Sequence, residues 1–315
     1  MNGNNAWWRT CAWLALVLLR LEAAPAVPMA RLQTNDVVGL IGGGVWVAEQ
    51  RGGYLESALR QLHPGYQLRV RNFAWEGDTV SARPREMNYP TVPALLRRFG
   101  VTIAFLQFGQ SESFAGEAGL ETFRRDYGRL LDEVAAATPR LVLVTPLPFE
   151  STAPPLADLA RRNADLARYV AVVHELGALR GLPVIDLYAS GKAGAATGLT
   201  TDGRQLSDRG EAVAALGISQ ALVSSGRPTS PDPAGWFAQP AAVSLRQAVV
   251  AKNLVWRQYV RPTNWAFLAG DRVEQPSSRD HRDRNLRWFP GEMEQFGPLL
   301  QQAERQLDNP ISDAR

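Results

Sequence analysis

The strongest constraint on the fold is a regular alternation of short apolar segments and longer helical segments between residues 36 and 224. Helical segments that separate short strands are typical of βαβ units, in which right-handed crossovers place helices on both faces of a parallel sheet. The sequence therefore predicts an α/β chain with a three-layer, doubly wound fold and a five-stranded parallel sheet. The predicted strands are 37–41, 68–73, 102–108, 141–145 and 183–187.

Four of the predicted strands end beside a glycine or a proline, and these ends mark one edge of the sheet. In open parallel sheets, the carboxyl ends of the strands form the edge that carries ligand sites. We therefore expect the functional site at this edge. The four residues are Gly42, Gly77, Gly109 and Pro146.

The first 26 residues (1–26) have the pattern of a signal peptide and are set aside from the fold. Arg9 precedes the apolar stretch 10–19, and Ala24-Pro25-Ala26 is typical of a cleavage site. A membrane anchor is the alternative, but the apolar stretch is too short to span a bilayer. Cys11 is the only cysteine, so a mature chain without it has no disulfide, thiolate nucleophile or cysteine metal site. We expect a periplasmic or secreted protein with no stable membrane span.

The charge and composition of the remaining chain divide it into a main domain and an extension. The 34 basic and 31 acidic residues give a net charge of +3 without a basic run, which excludes an obvious nucleic-acid surface. Residues 36–224 form the predicted main domain, and the Pro-, Ser- and Gly-rich residues 225–234 predict a linker. Residues 235–315 predict an extension packed on the main domain, with little helical periodicity before a closing helix at 296–307.

Four motifs on the predicted strand ends resemble, in order and spacing, the blocks of the SGNH (GDSL-type) hydrolases. The resemblance covers about residues 36–224 and implies the flavodoxin-like fold of that esterase family. The block III motif, residues 109–117, is especially similar to that of a secreted group from planctomycete-type bacteria. The four motifs, for blocks I, II, III and V, are residues 42–44, 72–80, 109–117 and 201–206.

The resemblance implies a catalytic role for particular positions, and several of them carry the wrong residue. Gly44 stands at the serine nucleophile position, and Gln205 stands at the histidine position of block V beside the retained Asp202. The implied oxyanion hole consists of the backbone N–H groups of Gly44 and Gly77, with Ser111 in place of an asparagine. A glycine has no group that can attack, and a glutamine cannot act as a general base.

The sequence therefore predicts an esterase-deficient protein that binds an acylated or saccharide ligand at the old cleft. No cofactor and no metal ion are expected. One alternative is an active carbohydrate esterase or deacetylase whose catalytic groups have moved. Another is a structural partner in a cell-envelope assembly, with the Trp- and Arg-rich extension as the interface.

Several side chains remain candidates for these alternatives. A relocated nucleophile has four candidates, which are Thr79, Ser81, Ser111 and Ser113. A relocated base has one candidate, His281, which could reach the cleft if the extension folds over it, although a charged, solvated loop is the favoured interpretation. His63 and His174 lie in or after helices that flank the sheet and are expected to be surface or packing residues. Four carboxylates near the predicted edge could hold a cation, although solvated loops are the favoured interpretation; they are Glu76, Asp78, Glu112 and Asp202. The sequence Gly42-Gly43-Gly44 lacks the spacing of a phosphate-binding loop.

Overall fold

The structure, a computed structural model, describes residues 29–85, 87–193, 197–223 and 232–308. The predicted signal peptide and most of the predicted linker lie outside these ranges. The described chain contains one parallel sheet in the order β2-β1-β3-β4-β5. This order confirms the flavodoxin-like, doubly wound fold. The strands are β1 (Val37–Gly42), β2 (Arg69–Asn72), β3 (Ile103–Gln107), β4 (Arg140–Val144) and β5 (Val184–Ile185).

Helices cover both faces of the sheet, as right-handed crossovers require. None of the described helices is both long enough and apolar enough to span a membrane. In the main domain, the α-helices are α1 (Gly44–Gly52), α2 (Tyr54–Leu62), α3 (Val92–Arg98), α4 (Leu120–Ala135), α5 (Asn163–Arg180), α6 (Leu187–Ala193) and α7 (Asp208–Leu222). In the extension, they are α8 (Pro233–Phe237), α9 (Pro240–Val260), α10 (Ala266–Ala269), α11 (Trp288–Glu294) and α12 (Phe296–Asp308).

Two apolar cores lie on opposite faces of the sheet because successive strand residues point to opposite sides. Val38 and Leu40 of β1 pack with α1, α2 and α7, whereas Ile41 packs with α3, α4 and α5. The second core also contains Trp256 from α9 and Leu300 from α12. The extension therefore supplies side chains to the core of the sheet.

The prediction of little helical periodicity in the extension is wrong, because α9 is a helix of 21 residues. Its buried face includes Ala242, Val249 and Trp256, which are seven residues apart and therefore lie on one side of the helix. Polar residues of the types Gln, Lys, Arg and Asn lie between these positions, so the apolar helical periodicity is weak in the sequence. The predicted linker also ends earlier than expected, because α8 begins at Pro233.

The extension covers the edge strand β2, which would otherwise expose unpaired backbone groups. The Trp256 indole Nε1 donates to the carbonyl oxygen of Asn72 at 2.8 Å. Glu304 of α12 forms ion pairs with Arg71 and with Arg69, the latter at 3.3 Å. The polar sequence of β2 is explained by these contacts. The division of the chain into domains stays a prediction.

Candidate functional site

The glycines after β1 differ in what they require of the backbone. Gly42 has a φ of +142°, and a Cβ atom there would lie 2.0 Å from the carbonyl oxygen of Gln107. Glycine is therefore required at this position. A Cβ atom at Gly44 would lie in ordinary contact, 3.5 Å from Oε1 of Gln110. The structure thus has room for a Cβ atom at residue 44, where the sequence has none.

The loops after β1, β2 and β3 meet at the carboxyl edge of the sheet. The carboxylate of Glu112 accepts hydrogen bonds from the N–H groups of Val80 and Gly109, each at 2.9 Å. Burial raises the pKa of Glu112, although these backbone bonds oppose the shift. In the described part of the chain, the N–H groups of Gly44 and Gly77 donate to no other residue. Both groups are therefore free to donate to a ligand, and their role in an oxyanion hole stays a prediction.

In the turn that precedes α7, the side chains of an acid and of the residue three positions later are hydrogen-bonded to each other. The Oδ2 atom of Asp202 accepts a hydrogen bond from the Gln205 side-chain amide at 3.0 Å. Its Oδ1 atom accepts from the N–H groups of Arg204 and Gln205, at 2.9 and 2.6 Å. Burial would raise the pKa of Asp202, but these hydrogen bonds outweigh it and the net pKa is lowered. An ionised Asp202 therefore orients an amide that cannot exchange a proton near neutral pH.

Ser111 has an unexpected partner. Its hydroxyl oxygen accepts a hydrogen bond of 2.7 Å from Nη2 of Arg204. This bond joins the loop after β3 to the turn before α7. Val45 and Leu206, which follow Gly44 and Gln205, line one small cavity, so those two positions lie on neighbouring segments. The sequence analysis missed Arg204, since nothing in one sequence indicates which way a turn residue between Asp202 and Gln205 points.

The candidate nucleophiles have other partners. Ser113 is fully buried and donates to the Gln110 carbonyl oxygen at 2.8 Å. Ser81 donates to a carboxylate oxygen of Asp126 at 2.6 Å, and Thr79 donates to a backbone carbonyl at 3.2 Å. Among the hydrogen bonds that join two described residues, none links a serine or threonine hydroxyl to the ring of His174 or His281. A hydroxyl without an adjacent base is a poor nucleophile.

The three histidines lie in different places. His63 follows α2 and lines a cavity with Gln67 and Leu68, which precede β2 at the opposite edge of the sheet. His281 is exposed in the extension. His174 bonds to the carboxylate of Asp186 at 2.8 Å. That hydrogen bond raises the pKa of His174.

The Asp186 carboxylate lies between His174 and the hydroxyl of Thr145, which donates to it at 2.9 Å. The acid therefore lies between the histidine and the hydroxyl group. In a catalytic triad the histidine lies between the acid and the hydroxyl. Thr145 is also fully buried, which keeps substrates away from it.

The four predicted carboxylates do not form a cluster. Arg85 binds Asp78 through two bonds of 2.8 and 2.7 Å, and Arg261 of the extension binds Glu76 at 2.6 Å. Both guanidinium groups lie over the ring of Trp75, with their carbon atoms 3.8 and 4.1 Å from its centroid. The favoured interpretation of solvated loops is wrong for Asp78, which is buried. In the ranges that the structure describes, no group of three acidic or histidine side chains is placed to hold a metal ion.

Two buried acids, Glu49 of α1 and Glu211 of α7, lie between these two helices. Glu49 accepts from the N–H groups of Leu55 and Glu56, at 2.7 and 3.0 Å, and so caps α2. Glu211 of α7 lines the same cavity as Glu49. Burial raises the pKa of Glu49 to about 7 and, together with the nearby Glu49 and Asp208 charges, raises that of Glu211 to about 8. Glu211 is therefore largely protonated at neutral pH.

We expect Glu211→Gln to remove much of the pH dependence of stability. An unfolded Glu releases its proton near pH 4.5, whereas folded Glu211 keeps it to about pH 8. The free energy of unfolding of the wild type should therefore fall as the pH rises from 4.5 to 8. The variant should be more stable than the wild type at pH 8.5 by as much as about 5 kcal/mol, with a residual slope from Glu49. Urea unfolding at pH 5 and 8.5 measures this difference, and an unchanged slope would contradict the assignment. Glu292→Gln, at an exposed residue, is the control.

Comparisons with known proteins agree with this architecture. A family model described as GDSL-like lipase/acylhydrolase matches residues 40–213. A catalytic mutant of an acetylxylan esterase from Geobacillus stearothermophilus superposes with a TM-score of 0.50 and 13% identity, over 64% of this chain and all (100%) of that one. At this identity the likeness shows the fold alone.

Two other solved structures match less closely. An α/β hydrolase enzyme from the metagenome of Lake Arreo has a TM-score of 0.46 and 16% identity, over 61% of this chain and 99% of that one. A gut microbial diltiazem-metabolizing enzyme has a TM-score of 0.48 and 16% identity over 61% of this chain. This chain matches only 48% of that enzyme's length. A search of curated proteins found no match. The family model covers more than half of the chain, which therefore belongs to the GDSL-like lipase/acylhydrolase family.

Proposed function

We propose that this chain is an acylhydrolase-fold protein that no longer catalyses acyl transfer and binds a ligand at the former active-site cleft. One observation carries the proposal. Asp202 orients the amide of Gln205, at 3.0 Å, where the family needs an imidazole. With Gly44 at the nucleophile position, neither proton transfer nor attack has a side chain to perform it.

The capacity to bind is supported by the parts of the cleft that do not depend on those side chains. The N–H groups of Gly44 and Gly77 have no partner among the described residues. Such donors suit a carbonyl or carboxylate oxygen, or a sugar hydroxyl. The saccharide part of the proposal rests on what many SGNH relatives do and on the aromatic residues available for stacking. The closer likeness to secreted planctomycete-type proteins rests on the block III motif, residues 109–117. We also propose export, on the pattern of residues 1–26.

We expect the purified protein to hydrolyse p-nitrophenyl acetate and acetylated xylo-oligosaccharides no faster than an inert protein. The same oligosaccharides should give saturation-transfer NMR signals that disappear in Gly44→Phe, whose ring would fill the cleft. Thermal unfolding verifies that this variant is folded. Clear turnover by the wild type that is lost in Ser111→Ala or His281→Ala would instead establish the relocated-esterase alternative.

A second candidate role is that of a partner in a cell-envelope assembly. The described part of the extension exposes four large apolar side chains, and exposed apolar residues favour protein contacts. Deleting the extension cannot test this role, because Trp256 and Leu300 belong to the core. Substitution of the exposed residues by aspartate, with light scattering or pull-down as the readout, is the suitable experiment. These residues are Leu254, Leu286, Trp288 and Leu299.

A further inference from the structure

Two arginines flank one partly exposed aromatic ring at the mouth of the cleft. The ring of Phe114 follows β3, and 38% of the residue's surface is exposed. The guanidinium carbons of Arg162 and Arg204 lie 5.2 and 5.6 Å from its centroid. Arg162 also donates to the carbonyl oxygen of Phe114 at 3.4 Å. The mouth thus combines an apolar surface with two positive charges.

The backbone around Arg204 is fixed. Gly203 has a φ of +84°, and a Cβ atom there would lie 2.9 Å from the carbonyl oxygen of Glu150, so a glycine is needed. The N–H group of Glu150 donates to the Gly203 carbonyl oxygen at 3.0 Å. The bond from Nη2 to Ser111 then holds the guanidinium at the cleft. Its position is therefore set before any ligand arrives.

Neither arginine has an acidic partner. In the part of the chain that the structure describes, no carboxylate oxygen lies within 4.0 Å of the guanidinium nitrogens of Arg162 or Arg204. The nearby Arg85 and Arg261, by contrast, each pair with a carboxylate. Glu112 and Asp202 both interact electrostatically with Arg204, but their oxygens accept hydrogen bonds from backbone N–H groups and, at Asp202, also from a side-chain amide. Two half-buried arginines that form no ion pair with a carboxylate of the described chain favour an anionic partner.

We propose that Arg162 and Arg204 bind a carboxylate carried by the ligand, while Phe114 contacts the ligand's apolar or ring portion. This inference deepens the proposed function and rests on it for the location of the ligand. A guanidinium matches a carboxylate in geometry as well as in charge. The carboxylate can belong to a uronic sugar or to a dicarboxylic acyl group, and the shared chemistry is an acid group beside an ester or sugar.

Two pairs of probes separate these sources. Trigalacturonate is compared with its methyl ester, and methyl hemisuccinate is compared with methyl butyrate, by NMR titration of the full chain. We expect the acid of at least one pair to bind at least ~10-fold more tightly than its neutral partner. The preference should decrease as salt is added, because the charges at the mouth are partly screened.

Arg162→Gln and Arg204→Gln should each reduce the preference about tenfold, since each removes a charged hydrogen-bond donor. Arg161→Gln is the matched control, because this exposed neighbour of Arg162 forms no side-chain hydrogen bond or ion pair with other described residues. An equal affinity for acid and neutral probe in both pairs would overturn the inference. A preference that survives both variants would also overturn it. Hydrolysis of p-nitrophenyl acetate would refute the proposed loss of catalysis, yet it would leave this preference standing as substrate selectivity.

Discussion

Gly44→Ser combined with Gln205→His is expected to create esterase activity that neither single variant has. The site at residue 44 accepts a Cβ atom, and Asp202 is already placed to orient an imidazole. Triad members act as a unit, so either change alone leaves the other essential group missing. We expect the double variant to hydrolyse p-nitrophenyl acetate at least ~10-fold faster than the wild type and both single variants.

The matched control for this experiment is Gly44→Ala combined with Gln205→His. It adds the same Cβ atom and the same imidazole but no hydroxyl, so it should remain at the background rate. If this control gained as much activity as the serine variant, a nucleophile elsewhere in the chain would be responsible. An inactive but folded serine variant would show that the change of Ser111 and its bond to Arg204 also disable the cleft.

Lys252→Met is expected to destabilise the protein strongly. The Lys252 ammonium group is fully buried in α9 and lies 2.6 Å from a carboxylate oxygen of Glu56 in α2. Burial lowers the pKa of Lys252, whereas the neighbouring Glu56 carboxylate raises it and so favours the charged ammonium group. Among the described residues, removal leaves Glu56 with one ion-pair partner, Arg60 at 3.0 Å. We expect a loss of about 3 kcal/mol in the free energy of unfolding, measured in urea.

A double-mutant cycle gives this prediction its control. Glu56→Gln added to Lys252→Met removes the stranded charge and should restore part of the lost stability. Lys192→Met, which removes an exposed lysine, should change the stability little. Equal effects of the two lysine substitutions would mean that the contact between α9 and α2 does not hold the extension to the sheet.

The fold was predictable because its signals are local. The apolar segments of the five strands end at turn residues such as Gly42 and Gly109, and that order leaves few topologies for a parallel sheet. The cap of α7 is local as well, since the Ser207 hydroxyl accepts a hydrogen bond from the N–H group of Gly210, three residues later, at 3.1 Å. The motifs of the family resemblance were also local, and the structure brings their four loops together.

The features that could not be predicted depend on partners distant in sequence. Lys252 and Asn253 are buried on α9, so the buried face of this helix is not uniformly apolar in the sequence. The burial of Lys252 is understandable only from its ion pair with Glu56 of α2. The short helix α3 was missed although Thr91 caps it, because Pro90 and Pro93 suggest a loop. The electrostatics of the cleft likewise depend on pairs across loops, such as Arg204 with Ser111, 93 residues apart.

The central claim is that no hydroxyl at the mouth of the sheet is activated for attack. A fluorophosphonate probe tests it without knowledge of the ligand, because it forms a covalent adduct with serines that a neighbouring base activates. Intact-mass spectrometry of the wild-type protein after incubation should show an unchanged mass, whereas the Gly44→Ser and Gln205→His double variant should acquire one adduct. A single stoichiometric adduct on the wild-type chain, mapped to Ser111 or any other residue of the cleft, would contradict the account.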